Sequence, residues 1–346
     1  MPINLLKLPF LVQEEVFQHM SYNQLFLVST VNSRVRKSIE LVRFNIPRLR
    51  FVIDYGQLIV SVSDGGKNQE EIIHVSVLPY VKKKYWKMVL KGNYKVFAGF
   101  LQETRSFGNV HIEVLVSEID RTFLKALQNH ISSLFQFSGF TEYVGEVSPD
   151  LNKTFDMDNI NVTSLTEFRR EADIENYFTR HSNHKSARLN YIVLQEDSVL
   201  LRVSSLYIWN RNHKNSSYVL HNFKGEHLVL NISITTSDIL QFLIRWMSSE
   251  AYENLKTVRI HSSEWFYNNN QTISETFKEK AIRYDKQEPT ARPEYVVYDP
   301  KIIDFKPEKW NLRTPNFLEL RRRADNKRAF VSTSPKFLFY VLNDVK

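Results

Sequence analysis

The spacing of apolar residues along the chain changes from a helical period to a period of two near residue 47. Before that point, Val12, Val16 and Phe17 recur at helical spacing, with polar residues between them. Pro9 precedes this stripe, and proline favours a helix start because its φ is pre-set and the first turn needs no N–H donor there. The pattern predicts an amphipathic helix that begins at Pro9.

Two more short helices are expected before residue 40. Ser21 and Gln24 have the spacing of a capping box, which marks the start of a second helix. The pattern of residues 33–39 predicts a third helix whose solvent-exposed side is basic. Three helices in so few residues bury little surface, so we expect this segment to need a partner for stability.

From residue 48 onward the pattern alternates as in β-strands. Residues 51–53 and 58–62 flank a turn sequence and predict a β-hairpin. Beyond residue 110, predicted strands alternate with predicted helices, among them a helix capped by Asp120 and a strongly amphipathic one at 237–249. The other predicted strands are 72–80, 85–90, 94–100, 112–116, 161–165, 189–194, 199–209, 228–234 and 256–260, and 168–180 is a predicted helix.

The strand starts at 161 and 189, and again at 228 and 256, are spaced as in leucine-rich repeats. The interval from 189 to 228 breaks the period. An irregular repeat and an ordinary α/β sheet therefore both remain open.

The last sixty residues begin with a proline-rich stretch, 285–315, which predicts an extended connection. Strands are expected again at 317–322, 328–331 and 337–342. The predicted fold class is α+β: a small three-helix domain, then a mixed α/β domain that is either irregularly leucine-rich-repeat-like or a plain sheet.

Composition narrows the range of functions. The chain has no cysteine, which excludes disulfides, Cys-ligated zinc and thioester chemistry on a cysteine. Its nine glycines lack the separations of phosphate-binding loops and nucleophile elbows. No window is apolar enough for a membrane span, and we expect an intracellular protein, cytoplasmic or nuclear.

A formal net charge of +8 favours acidic partners. Basic clusters occur at 82–84, beside Tyr85 and Trp86, and at 321–323 with Lys327 and Arg328. They suggest nucleic-acid binding or, for the second cluster, nuclear localisation, whereas the plain alternative is a solvated strand edge. We expect the plain alternative.

Two histidines, His181 and His184, have a spacing that could place both rings on one side of a helix. Their polar neighbours favour a solvated loop, so no metal and no cofactor is expected. Adjacent carboxylates such as Glu14 and Glu15 point in different directions and are expected to be solvated. The chain is not expected to be an enzyme.

The N-terminal residues resemble an F-box. The matching segments are Leu5-Leu6-Lys7-Leu8-Pro9-Phe10-Leu11-Val12, Glu14-Glu15-Val16-Phe17, Leu25-x-x-Val28-Ser29 and Ser33-Arg34-Val35-Arg36. Each is weak alone, but together and in order they span about forty residues at the N-terminus.

A second resemblance covers roughly residues 200–265. Residues 235–246, Thr-Thr-Ser-Asp-Ile-Leu-Gln-Phe-Leu-Ile-Arg-Trp, followed by 254–260, Asn-Leu-Lys-Thr-Val-Arg-Ile, are similar to the type-2 F-box-associated domain of a family expanded in nematodes. Residues 321–325 also resemble that family's C-terminus, although Lys327 and Arg328 stand where a small turn is usual.

These resemblances imply a non-catalytic substrate receptor of an SCF-type cullin–RING ubiquitin ligase. The F-box would dock on the adaptor subunit, and through it on a cullin, while the large domain would hold an unknown substrate protein. The alternative is a basic nucleic-acid-binding module. The expected adaptor-binding residues are Leu8, Pro9, Val12, Val16, Phe17, Leu25, Val28, Val31 and Val35.

The expected domains are an F-box domain at 1–45, a recognition domain at 46–284, and a proline-rich connection with C-terminal strands at 285–346. The recognition domain contains the F-box-associated region, and the C-terminal strands are expected to pack on it.

Overall fold

A computed structural model describes most of the chain. The described residues are 5–44, 46, 48–54, 56–63, 69–77, 86–91, 95–102, 110–137, 139–147, 157, 159–168, 171–190, 194, 197–209, 216–261, 269–277, 279–282, 292–300, 302, 305–314, 316–332 and 336–342. The chain divides into two compact units, Met1–Asn161 and Val162–Lys346. The domain limits expected at residues 45/46 and 284/285 rest on sequence pattern and stay a prediction.

Unit 1 opens with a 3₁₀ turn, Leu5–Lys7, and the three expected helices. They are α1 (Phe10–Gln18), α2 (Tyr22–Val31) and α3 (Ser33–Leu41). Pro9 is the N-cap of α1, with φ −54°, and in the capping box of α2 the Gln24 side chain accepts from the Ser21 backbone N–H. Asn32 caps α3 by accepting from the Arg34 backbone N–H at 2.8 Å. The fixed φ of Pro9 marks the start of α1, and side-chain hydrogen bonds mark the starts of α2 and α3.

The rest of unit 1 is a mixed sheet with one long helix, α4 (Arg121–Leu134), capped by Asp120 as predicted. The strand order is β7-β1-β2-β3-β6-β5-β4. The strands are β1 (Arg48–Asp54), β2 (Gln57–Ser63), β3 (Gln69–Val77), β4 (Trp86–Val89), β5 (Lys95–Gln102), β6 (Val110–Val116) and β7 (Phe140–Val147). The predicted β1–β2 hairpin forms, with Gly56 at φ +74° in its turn, a conformation that glycine adopts freely. Strand β7, which pairs parallel with β1, was not predicted.

Unit 2 contains five parallel strands that lie side by side in chain order. They are β8 (Ile160–Phe168), β9 (Ser186–Asn190), β10 (Ser205–Trp209), β11 (His227–Asn231) and β12 (Thr257–Ile260). The intervening helices include α5 (Glu171–Arg180), α6 (Ser216–Asn222) and α7 (Thr236–Ser248), and α8 (Asn269–Thr276) follows β12. Strand β10 fills the interval that interrupted the 28-residue spacing. The stack is thus sequential but irregularly spaced.

Three antiparallel strands extend this sheet beyond β12, and the last of them in the chain lies next to β12. They are β15 (Phe317–Arg321), β16 (Arg328–Ser332) and β17 (Phe337–Val341), close to their predicted positions. A separate antiparallel pair, β13 (Tyr295–Tyr298) and β14 (Glu308–Asn311), lies in the proline-rich stretch.

Three predictions need correction in unit 2. The strand expected at 199–209 is a 3₁₀ helix, Val199–Arg202, followed by β10. Ser198 caps that 3₁₀ helix by accepting from the Leu200 backbone N–H, which ends any extended conformation there. The strand expected at 189–194 is β9, Ser186–Asn190, which begins three residues earlier and ends four residues earlier than predicted. The connection expected at 285–315 is partly a two-stranded sheet, because Pro293, Pro300 and Pro307 border β13 and β14 rather than interrupt them.

The two faces of the unit 2 sheet are covered differently. Phe242 and Trp246 of α7 pack on Phe339 of β17, with ring centroids 5.1 and 5.2 Å apart. Side chains alternate along a strand, so Leu338 and Tyr340 face the other way, where the β13–β14 pair packs. Helices therefore cover one face and the small sheet covers part of the other.

Three N-terminal helices followed by a mixed, strand-rich region confirm the predicted α+β class. No helix among the described residues combines the length and the apolar character needed to cross a bilayer.

Candidate functional site

The nine residues expected to bind an adaptor fall into three groups by burial. Phe17 and Leu25 are completely buried and form the core of the helical unit. Leu8, Val28 and Val35 are partly buried. The exposed ones are Pro9, Val12, Val16 and Val31. The structure therefore separates residues that hold the helices together from residues that present an apolar surface.

Exposed apolar side chains concentrate on these helices. Of the 13 exposed large apolar side chains in the described part of the chain, six lie within residues 10–41. They are Phe10, Leu11, Val12, Val16, Val31 and Leu41. Val12 and Val16 lie one turn apart on the same side of α1. We call these six side chains, which share exposure and one helical segment, the apolar face. Exposed apolar residues that lie together mark interaction surfaces.

Sequence reasoning missed three members of the apolar face. Phe10 and Leu11 lie outside the apolar stripe of α1, and Leu41 lies at the end of α3. The helical period of apolar residues therefore did not identify them as surface residues. The sequence signal that could have identified them is the number of apolar residues in α1, which exceeds what one buried stripe requires. Leu11, 76% exposed, is apolar where a solvated helix would carry a polar residue.

The start of α2 is fixed to the sheet of unit 1 by a carboxylate. Glu70 of β3 accepts hydrogen bonds from the backbone N–H groups of Tyr22, at 2.6 Å, and Asn23, at 3.4 Å. These N–H groups have no partner within a helix, and a negative charge near a helix N-terminus is favourable.

A buried histidine ties the middle of α2 to α4. The Lys91 backbone N–H donates to His130 Nδ1 at 3.0 Å, so the proton of the neutral ring is on Nε2, which donates to Ser29 Oγ at 2.9 Å. Ser29 Oγ donates in turn to the Phe26 carbonyl. Burial, and then the positive charges of Arg36 and Lys91, lower the pKa of His130 to about 3, so the ring is neutral at pH 7.

The end of α3 is held by polar and aromatic contacts to α4. Ser133 Oγ donates to Glu40 Oε1 at 2.5 Å. The rings of Tyr22, Phe44 and Phe135 pack edge to face, with centroids 5.4 to 6.2 Å apart. The internal packing partners that such a small helical segment needs are α4 and β3, within unit 1.

The two histidines weighed as metal ligands make other contacts. His184 Nε2 lies 2.6 Å from Thr163 Oγ1 and its Nδ1 lies 2.5 Å from the His181 carbonyl. Burial lowers the pKa of His184 to about 4. Within the described ranges, no three His, Cys, Asp or Glu side chains are grouped to hold a metal ion.

Four of the five cations in the second basic cluster, Arg321, Arg322, Lys327 and Arg328, form ion pairs. Arg322, nearly buried, pairs with Asp325, and Arg328 places Nε 2.8 Å from Glu319 Oε1. The hydrogen bond from Arg322 holds the pKa of Asp325 well below its usual range. Lys327 Nζ also lies 3.3 Å from Asp325. The first cluster, 82–84 with Tyr85, lies outside the described residues.

Comparison with known proteins identifies the N-terminal segment. Residues 5–47 match the family model of the F-box domain. No curated protein and no solved structure matches the chain. F-box domains bind the adaptor subunit of SCF-type ubiquitin ligases and through it a cullin, and proteins that carry them are typically non-catalytic. The three capped helices with their exposed apolar face therefore lie in an F-box domain, found at residues 5–47 of this chain.

Proposed function

We propose that this protein is a non-catalytic substrate-receptor subunit of an SCF-type cullin–RING ubiquitin ligase. The observation that carries the proposal is the F-box match at residues 5–47 together with the apolar face on the same helices. In this role the F-box docks on the adaptor, and a surface elsewhere in the chain holds a substrate protein.

Docking is proposed to bury the apolar face. A specific interface covers about 1,200–2,000 Å² in total and rests on a few central residues. Full burial of each exposed apolar side chain contributes up to about 1.5–3 kcal/mol. Val12 and Val16 would contact the adaptor directly, whereas the buried Phe17 and Leu25 would act by holding α1 and α2 in place.

Contacts within unit 1 already hold the F-box helices in place, so docking on the adaptor would require no folding step. Glu70 and His130 hold α2, and Ser133 holds the end of α3, against the rest of unit 1. A surface that is already ordered loses little conformational entropy on binding, so more of the burial free energy appears as affinity.

Substrate recognition is assigned, as part of the same proposal, to residues 46–346. The type-2 F-box-associated domain is proposed at about 200–265, which spans β10 to β12 and includes α7. Membership of the family expanded in nematodes belongs to this proposal as well. The absence of cysteine excludes a thioester with ubiquitin, which supports a receptor rather than an enzyme.

The expected location follows from the role, because a subunit of this ligase would act inside the cell, in the cytoplasm or the nucleus. The nucleic-acid alternative has no structural support, since the described basic cluster is engaged with Asp325 and Glu319.

A gel-filtration experiment with the full-length protein and a purified SCF adaptor subunit tests the proposal. We expect a shared peak at micromolar concentrations. Val12→Asp should separate the two proteins, because it places a charge in the apolar face at a position already 44% exposed.

The matched control is Val297→Asp, which changes an exposed valine of unit 2 that is outside the F-box. This variant should co-elute with the adaptor as the wild type does. Separate elution of the wild-type protein and the adaptor would contradict the proposed role.

A further inference from the structure

A cavity of about 370 Å³ opens on the face of the unit 2 sheet opposite to α7. The β13–β14 pair, together with Ile302 and Phe305, covers this face only in part. The side chains that matter in the cavity are Arg188, Tyr207, Arg259, Phe305, Lys306 and Glu308. All belong to unit 2, and sequence reasoning assigned none of them a role.

The register of the parallel strands explains why these side chains meet. Arg188 pairs with Tyr207 across β9 and β10, and Arg259 of β12 continues the same row after Val229 of β11. Residues in one row point to the same face of a sheet. Two arginines and a tyrosine therefore share the floor of the cavity, although they are far apart in sequence.

Arg259 is buried, with 4% of its surface exposed, yet only part of its guanidinium is satisfied. One nitrogen lies 2.7 Å from Glu308 Oε1. Its Nε is buried and has no hydrogen-bond partner among the described residues. A buried donor without an acceptor is costly, so an additional acceptor in the cavity would be stabilising.

The lining is positive. Its described residues include three cations, Arg188, Arg259 and Lys306, and one carboxylate, Glu308. Burial, and then the charge of Arg259, lower the pKa of the neighbouring Lys336. The same two causes, in the same order, lower the pKa of His261 to about 4, so that ring is neutral at pH 7. The cavity therefore favours an anion over a cation or a neutral group.

Aromatic rings define the rest of the ligand. The Arg188 guanidinium lies 5.2 Å from the Tyr207 ring centroid, and that of Arg259 lies 5.1 Å from the Phe305 centroid. Tyr207 and Phe305 thus offer apolar surface beside the cations. The cavity volume is at the lower end of the range for known ligand cavities. It suits one small molecule and is too small for a folded protein.

We infer that this cavity binds a phosphate monoester joined to a flat apolar group. A phosphate monoester carries about two negative charges near pH 7 and three acceptor oxygens, which suits guanidinium groups and an ammonium around one cavity. The phosphate lies between Arg259 and Lys306, and the flat group packs on Tyr207 and Phe305. The inference does not depend on F-box docking.

Calorimetric titration of the full-length protein tests it with phenyl phosphate as the probe. We expect saturable binding that weakens as salt is raised. Lys306→Glu should weaken it about tenfold or more, because it reverses a charge at the cavity while leaving the buried Arg259 in place. The matched control is Lys309→Glu, which changes an exposed lysine absent from the lining and should have nearly the wild-type affinity.

Two further probes check the class and source of the ligand. Phenol, which lacks the phosphate, should bind far more weakly; equal binding would overturn the inference. A phosphotyrosine peptide that binds more tightly than phenyl phosphate would support a modified protein side chain as the source, whereas the reverse order would support a free small molecule. No saturable binding of phenyl phosphate at millimolar concentration, or equal affinity of the Lys306 and Lys309 variants, would also overturn it.

Discussion

Replacement of Leu8 and Pro9 together by alanine is expected to abolish binding of the full-length protein to the SCF adaptor subunit. Pro9 holds the N-cap of α1 with its pre-set φ, and its carbonyl accepts the backbone N–H groups of Val12 and Gln13. The Leu8 carbonyl accepts a hydrogen bond from Gln13 Nε2 at 2.7 Å. Alanine keeps both carbonyls, so the double change acts by removing the fixed φ of Pro9 at the start of α1 and the apolar side chains of Leu8 and Pro9.

The measurement is a pull-down with the purified adaptor, with far-UV circular dichroism of each variant as the fold control. Ile244→Ala, a change at a half-exposed position of α7 outside the F-box, should bind as the wild type does. Equal binding by the double variant and the wild type would refute the assignment of Leu8 and Pro9 to docking.

Trp246→Ala is expected to lower the free energy of unfolding of unit 2 by about 3–5 kcal/mol. Trp246 is completely buried, its ring packs edge to face on Phe339 at 5.2 Å, and the Arg322 guanidinium lies 5.6 Å from its centroid. Truncation removes these contacts and leaves a cavity between α7 and β17.

Chemical denaturation of the full-length protein measures this effect. Ile244→Ala lies on the same helix but is 50% exposed, so it should change the free energy of unfolding by less than about 0.5 kcal/mol. An unfolding transition of Trp246→Ala that coincides with that of the wild type would contradict the placement of α7 on the sheet.

The elements that were predictable are those set by local chemistry. The start of α1 at Pro9, the capping box at Ser21 and the N-cap Asp120 each depend on residues within one helical turn. The β1–β2 hairpin is likewise local, because Gly56 permits its turn. These signals are present in the sequence itself.

The misjudged elements depend on an overlooked local cap in one case and on distant contacts in the other. Residues 199–209 look like one apolar strand, but Ser198 caps a 3₁₀ helix at the start of this segment and only the second half pairs in the sheet. The β13–β14 pair is stabilised by packing on Val229 and Phe330, which lie elsewhere in the chain. A pattern of apolar residues does not reveal such partners.

In the candidate sites, too, the local pattern identified some residues, whereas the roles of others depend on tertiary contacts. The apolar stripe predicted Val12, Val16 and Phe17 together, yet only packing against the rest of unit 1 shows that Phe17 is core and the valines are surface. Arg259 is an arginine in the middle of a predicted strand. Its location in a cavity with Arg188 depends on strand order, which the sequence pattern left open.

Amide hydrogen exchange of the full-length protein, with and without the purified adaptor, is the decisive test of whether residues 5–47 dock on the ligase adaptor. We expect slower exchange in α1 and at the ends of α2 and α3, where the apolar face lies, with unchanged exchange in β10 to β12. Unchanged exchange throughout residues 10–41 at saturating adaptor, or protection confined to other parts of the chain, would contradict it.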